Sequence, residues 1–187
     1  SEVFAKMALL AADALEKPEE AVALWQRVLD IRGEEPEPLR NLVGLYEQLE
    51  RWDDVGMTID RIVSIVEDEQ ERSALFLKLG DIRHQQLGRP LEALEAYQQA
   101  LDLDSMNVMA LRRKATIHAE AESWEDLIET LQRLVDVGEG QLAPEELAES
   151  YAQMGTVLAE RLERNYEAID AWRKVLENAP RDPQALD

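Results

Sequence analysis

Apolar residues recur along this chain at intervals of three and four, the spacing of one helical face, and short polar or proline-bearing stretches separate the runs. These stripes and their boundaries predict ten helices at about 2–15, 18–32, 37–50, 53–66, 70–87, 90–103, 107–121, 124–137, 144–162 and 165–178. No segment shows the period-two alternation of a strand. The stripes also repeat. Leu39 to Val63 and Leu111 to Val135 follow one pattern at an offset of 111 − 39 = 72 residues, with Arg51-Trp52-Asp53-Asp54-Val55 answered by Ser123-Trp124-Glu125-Asp126-Leu127. A second pattern interleaves: Phe76, Leu79, Gly80, Ala93, Tyr97 and Ala100 return as Tyr151, Met154, Gly155, Ala168, Trp172 and Val175. A weaker copy opens the chain with Phe4, Met7, Ala8, Ala21 and Trp25. Five helical hairpins at about 2–36, 37–69, 70–106, 107–143 and 144–180 follow, each burying its stripe against its neighbours, and 181–187 read as the start of a sixth. The apolar stripe of the last helix, Ala168, Ile169, Trp172, Val175 and Leu176, is then expected to form a sticky end and to support end-to-end self-association.

The punctuation agrees with this division. All seven prolines lie between stripes, where most mark helix starts because the missing N–H has no intrahelical partner there. Acidic pairs follow several of these boundaries and complement the positive helix end. Ser123-Trp124-Glu125-Asp126 has the outline of a capping box. From the small residue of each first helix to the Ala-type residue of the second the interval is 13 in odd repeats, as from Gly80 to Ala93, and 12 in even ones, as from Val43 to Val55. Trp124 to Tyr151 spans 27 residues where Trp52 to Phe76 spans 24, so three residues are inserted around Val137–Ala143, as a tolerated surface insertion or as a hinge.

With small residues at the helix crossing and large apolar ones around them, these hairpins resemble tetratricopeptide repeats, most closely in Phe76, Leu79, Gly80, Ala93, Tyr97 and Ala100 and in Tyr151 through Pro180. Lys114, in a slot that is apolar elsewhere, departs from the pattern. The composition is similar to that of bacterial, myxobacterial-type repeat proteins. The resemblance implies an all-α, right-handed superhelical solenoid of about five repeats forming one array, with an inner groove lined by first helices. It further implies a non-enzymatic scaffold that holds a peptide segment or helix in that groove; a structural spacer or self-association module is the alternative. Groove positions carried over from the family include Arg40, Glu47, Leu77, Asp81, His84, Arg112, Thr116, Thr156 and Glu160. The paired asparagines with which some such domains clamp a C-terminal carboxylate are missing, since Leu9, Gly44, Asp81, Thr116 and Thr156 stand there. Arg40 and Arg112 can still fork onto a partner carboxylate, or pair within their own helix, as Arg40 with Glu37.

Charge narrows the partners. Forty acidic residues against twenty basic ones give a formal net charge of −20, which repels phosphate backbones and disfavours nucleic acid. A protein or peptide partner with basic patches is favoured. No apolar run approaches the roughly 18 residues of a membrane span, so membrane insertion is not expected, and a cytoplasmic setting is favoured over others. With no cysteine and two histidines, His84 and His118, thiol chemistry is excluded and a zinc site lacks ligands. His118 occupies the slot of Tyr46 and is read as packing, whereas His84 should face the groove. The acidic pairs Glu19-Glu20, Asp53-Asp54, Glu125-Asp126 and Glu145-Glu146 lie about 100° apart on their helices and do not converge on one substrate atom. No phosphate-binding glycine loop or nucleophile motif occurs, and neither catalysis nor a cofactor is expected.

Overall fold

Among the described residues ten α-helices run where the apolar periodicity puts them: α1 (Glu2–Asp13), α2 (Pro18–Arg32), α3 (Pro36–Gln48), α4 (Trp52–Ile65), α5 (Glu69–Asp81), α6 (Pro90–Leu103), α7 (Val108–Glu120), α8 (Trp124–Gly138), α9 (Pro144–Glu160) and α10 (Asn165–Asn178). The structure is a computed structural model that describes residues 2–13 and 17–179, so the start of a sixth repeat lies outside the described residues. The chain divides into two compact bodies, Ser1–Asp104 and Ser105–Asp187. In the first, α1–α2, α3–α4 and α5–α6 pair as hairpins, and α2–α3 and α4–α5 join one hairpin to the next. In the second, α7–α8 and α9–α10 pair, joined through α8–α9. Leu39, Leu42, Ile59, Ile62, Leu79 and Tyr97 fill the first core, and Leu111, Ile117, Leu127 and Leu131 the second; all are fully buried. All of them but Ile117 lie on a predicted stripe; Ile117 stands one position before His118, the residue that the stripe of α7 predicts to be inside.

The glycines of the repeat pattern are sites of close approach. A Cβ on Gly80 would lie 2.6 Å from Cδ1 of Tyr97, and one on Gly155 would lie 2.7 Å from Cε2 of Trp172. A side chain at either position would therefore push the aromatic ring of the second helix off the first.

The alternation of 13 and 12 residues has a backbone cause. Before the second helix of odd repeats, Lys17 N–H donates to Ala11 O (2.9 Å), Arg89 to Arg83 (2.7 Å) and Arg164 to Leu158 (2.8 Å), each six residues back. In even repeats Arg51 donates to Tyr46 (2.8 Å) and Ser123 to His118 (2.9 Å), five residues back. The extra residue is absorbed in a wider closure. In the third repeat it appears as a π turn, Ile82–Gln86, continuing α5. The residue before each of these closing donors, where described, is left-handed: Glu50 (φ 55°), Gly88 (φ 63°), Glu122 (φ 54°) and Glu163 (φ 54°). Three of the four therefore carry the Cβ penalty of that conformation. Replacing Glu50, Glu122 and Glu163 by Gly is expected to raise stability by about 0.5–1 kcal/mol per site, once the greater freedom of unfolded Gly is subtracted; urea unfolding of the three single variants checks it.

Two local expectations are revised. Ser123 precedes α8 but its hydroxyl makes no cap bond, because its backbone (φ −81°, ψ 72°) lies outside the extended region from which a cap side chain reaches the first turn. Side-chain caps occur instead at Asp68, which accepts from Glu71 N–H at 2.7 Å, and at Asn107, which accepts from Ala110 N–H at 3.0 Å. The residue before the second helix is basic elsewhere and pairs three positions on: Lys17 with Glu20, Arg51 with Asp54 and Arg164 Nε with Glu167, each at 2.7 Å.

The sticky end is smaller than the sequence suggests. Ala168 and Val175 are buried and Trp172 and Leu176 half-buried, because this stripe faces the helix's own partner α9, just as Ala93 and Tyr97 of α6 are buried in their hairpin. Only Ile169 of the five is exposed, alongside Tyr166 on the same helix.

Candidate interaction face

The first helices of successive repeats are tied edge to edge by ion pairs that recur at the repeat offset. Arg40 of α3 binds Glu71 of α5 through Nε (3.1 Å) and its terminal nitrogen. Arg112 of α7 binds Glu146 of α9 at 2.7 Å. These are equivalent pairs, since 112 − 40 = 72 and 146 − 71 = 75, the latter offset including the three inserted residues. A second rung joins the same two helices in the first body, Lys78 to Glu47 at 2.6 Å. Both arginines thus reach across to the next first helix and not to an acid of their own helix such as Glu37. The Glu146 carboxyl is held below the usual carboxylate range, mainly by the Ala143 N–H it accepts and then by Arg112.

The other predicted positions divide by body. In the first, Asp81 accepts a 2.8 Å hydrogen bond from the buried Tyr97 hydroxyl, Leu77 is half-buried, and His84 is half-buried within the π turn. In the second, Thr116 and Thr156 are exposed and return their hydroxyls to carbonyls four residues back, Arg112 and Ala152; Glu160 is exposed at the end of α9. Arg112 and Thr116 are brought together with Glu146, Glu149, Ser150 and Gln153 of α9 around a cavity of about 240 Å³, whose floor is Ala115, Leu131 and Leu134. Thr156 and Glu160 do not line it. The α9 contributors were missed from the sequence; only Glu146 among them is open to a search for opposite charges one repeat apart, since 146 − 112 = 34 is the 31 of 71 − 40 and 78 − 47 plus the three inserted residues.

The inserted segment closes on itself. Gln141 and Leu142 N–H both donate to Gly138 O at 2.9 Å, Gly140 takes φ 85°, and a Cβ on Gly138 would lie 2.7 Å from Leu142 Cδ1. Among the described residues no group of three or more His, Asp or Glu side chains is placed to hold a metal ion, and no described helix is long and apolar enough to cross a membrane.

Solved structures similar to this chain carry the same architecture. It aligns with MamA at a TM-score of 0.64 and 16% identity, over 98% of this chain and 96% of that one. It aligns with YrrB, a TPR protein with an unusual peptide-binding site, at a TM-score of 0.59 and 17% identity, over 98% and 88%. The C-terminal part of a TPR repeat-containing protein from Cytophaga hutchinsonii aligns at 0.64 and 12%, over 98% and 71%. The fold is the tetratricopeptide-repeat fold. No family model matches the sequence and no curated protein does. At 12–17% identity the likeness to these structures is one of fold.

Within this TPR frame the half-buried His118 stands where Tyr46 stands one pair of repeats earlier. Burial pushes its imidazole below the usual range; Lys114 acts in the same direction and Asp126 and Glu129 oppose. The folded state then takes up this proton later than the unfolded chain does. The contribution to stability is complete above about pH 6.5 and lost as pH falls below it. His118→Tyr is expected to flatten the fall between about pH 7 and 5, read as the difference in urea midpoints between variant and parent.

Proposed function

We propose that this chain is a non-enzymatic protein-interaction scaffold that binds a peptide segment on the face presented by its first helices. The observation that carries this reading is the α7–α9 cleft, where Arg112, Thr116, Glu149, Ser150 and Gln153 surround an apolar floor. Its volume of about 240 Å³ suits one or two side chains of an extended segment. Orienting polar groups above an apolar base are what a specific peptide site requires. YrrB, of the same fold, is described as having a peptide-binding site. Arg40 and Arg112 serve this reading as the braces that set the spacing of neighbouring first helices; a partner carboxylate must compete with Glu71 or Glu146 for them. The groove positions Leu77, Asp81 and His84 are proposed to play the same part in the first body. A partner segment with basic side chains suits the charge of −20.

Affinity capture from an extract of the source organism tests the reading, with the parent chain beside a Thr116→Arg, Gln153→Arg variant that blocks the cleft. Both positions are exposed, so the fold should survive, and capture should fall at least about tenfold, the loss of one or two well-made contacts. Equal capture by the blocked variant would remove the cleft from the account. The alternative of self-association rests on apolar residues exposed on α1, among them Val3 (68%), Met7 and Leu10; it predicts a mass that rises with concentration in light scattering.

A further inference from the structure

The two bodies treat one position differently. In the first, Arg83 rises from the π turn that continues α5 between two second helices, reaching Asp60 of α4 at 3.1 Å and Glu92 of α6 at 3.7 Å. Its side chain is only 19% exposed. The repeat offset carries Arg83 to Leu158 (158 − 83 = 75), Asp60 to Gln132 (132 − 60 = 72) and Glu92 to Glu167 (167 − 92 = 75). A neighbouring bond shows that the correspondence holds in space: Arg89 binds Asp53 and its equivalent Arg164 binds Glu125, both at 2.9 Å. The guanidinium that fills the gap between second helices in the first body therefore has no counterpart in the second, where an apolar Leu158 stands instead.

A groove lies there. Two adjoining hollows of about 300 and 540 Å³ run between α8 and α10 and share Ile128, Gln132 and Glu167. Tyr151, Met154 and Leu158 of α9 form the base, with Ala171 beside them. The rim carries six carboxylates, Glu125, Asp126, Glu129, Asp136, Glu167 and Asp170, against three lining cations; Glu125 and Glu167 share Arg164, Asp170 pairs with the neighbouring Arg173 at 2.9 Å and Asp136 accepts from Gln132 at 2.9 Å, so the rim keeps a net negative charge of two once Arg173 is included. Those cations are already engaged: Arg164 with Glu125 and Glu167, Lys174 with Glu177 at 2.8 Å, and Arg133 with the Ser105 carbonyl at 3.3 Å.

We propose that the α8–α10 groove is a second recognition surface, which takes an arginine-bearing, otherwise apolar peptide segment of a partner protein and seats its guanidinium where Arg83 lies in the first body. The apolar base covers the stem and flanking apolar residues, and the acidic rim supplies the counter-charge. This surface is distinct from the α7–α9 cleft and does not depend on it.

The probe is a short acetylated and amidated peptide with Leu and Arg at helical spacing, beside the same peptide with Glu at each Arg, titrated into isotope-labelled protein at low salt. The Arg peptide should shift the Ile128, Met154 and Leu158 methyl signals, weaken at high salt, and leave Thr116 and Gln153 unmoved; the Glu peptide should do nothing. Leu158→Arg with Gln132→Asp rebuilds the first body's arrangement and should reduce binding at least about tenfold. Charge reversal at the exposed Glu129 and Asp170, which leaves the base intact, should do the same. Conversely, Arg83→Leu with Asp60→Gln should open an equivalent groove and raise the stoichiometry from one peptide to two. No methyl shift with the Arg peptide, equal binding of the Glu peptide, or affinity indifferent to the rim reversal overturns the proposal. Shifts confined to Thr116 and Gln153 would overturn it while supporting the α7–α9 cleft.

Discussion

Replacing Tyr97 by Ala is expected to lower the unfolding free energy by about 3–5 kcal/mol, the cost of removing a large aromatic side chain from a core that cannot collapse to refill it. Tyr97 is 0% exposed. Its ring lies directly over Gly80, and its hydroxyl donates to Asp81 at 2.8 Å. Tyr97→Phe keeps the ring and loses only the hydrogen bond, so it should cost about 1 kcal/mol. Urea unfolding followed by circular dichroism separates the two, and equal losses would show that the ring contributes little beyond its hydroxyl.

Gly80→Ala is expected to destabilise by about 1–3 kcal/mol, although Ala is intrinsically the better helix former by about 1 kcal/mol. The new methyl would collide with Tyr97, and a fully buried ring has no free space to enter. Gly44 supplies the control. It also lies inside a first helix, yet a Cβ there meets nothing within 4 Å, so Gly44→Ala should stabilise by about 0.5–1 kcal/mol. The sharper test is a cycle: in a Tyr97→Ala background, Gly80→Ala should change sign and become stabilising, because only helix propensity remains. A penalty that persists without the ring would show that Gly80 is needed for another reason.

The helices were legible because each buries one stripe, and a stripe of Leu, Ile, Val and Ala at three- and four-residue spacing specifies both the helix and the face it hides. Helices α2, α6 and α10 begin and end where the sequence puts them. The second helix of the third repeat shows the limit at its approach: the interval from Gly80 to Ala93 announced one extra residue, but not that it would be stored as a π turn. Ser123 failed as a cap because cap chemistry depends on the backbone angle of the turn before it, which residue type alone does not fix. Arg40 and Arg112 were legible as guanidiniums on the first-helix face. Their partners Glu71 and Glu146 belong to the next repeat and emerge only when the register between stacked helices is known. Arg83 and Leu158 carry the same lesson, since each gains its meaning from the two second helices flanking it.

The most direct test of the central claim is amide hydrogen exchange on the chain alone and on the chain saturated with a captured partner. A scaffold that binds through its first helices predicts slowed exchange along α7 and α9, centred on Thr116 and Gln153, with the corresponding surface of α3 and α5 as the other candidate. Exchange that is unchanged along all four of these helices, with protection confined to second helices, would contradict it.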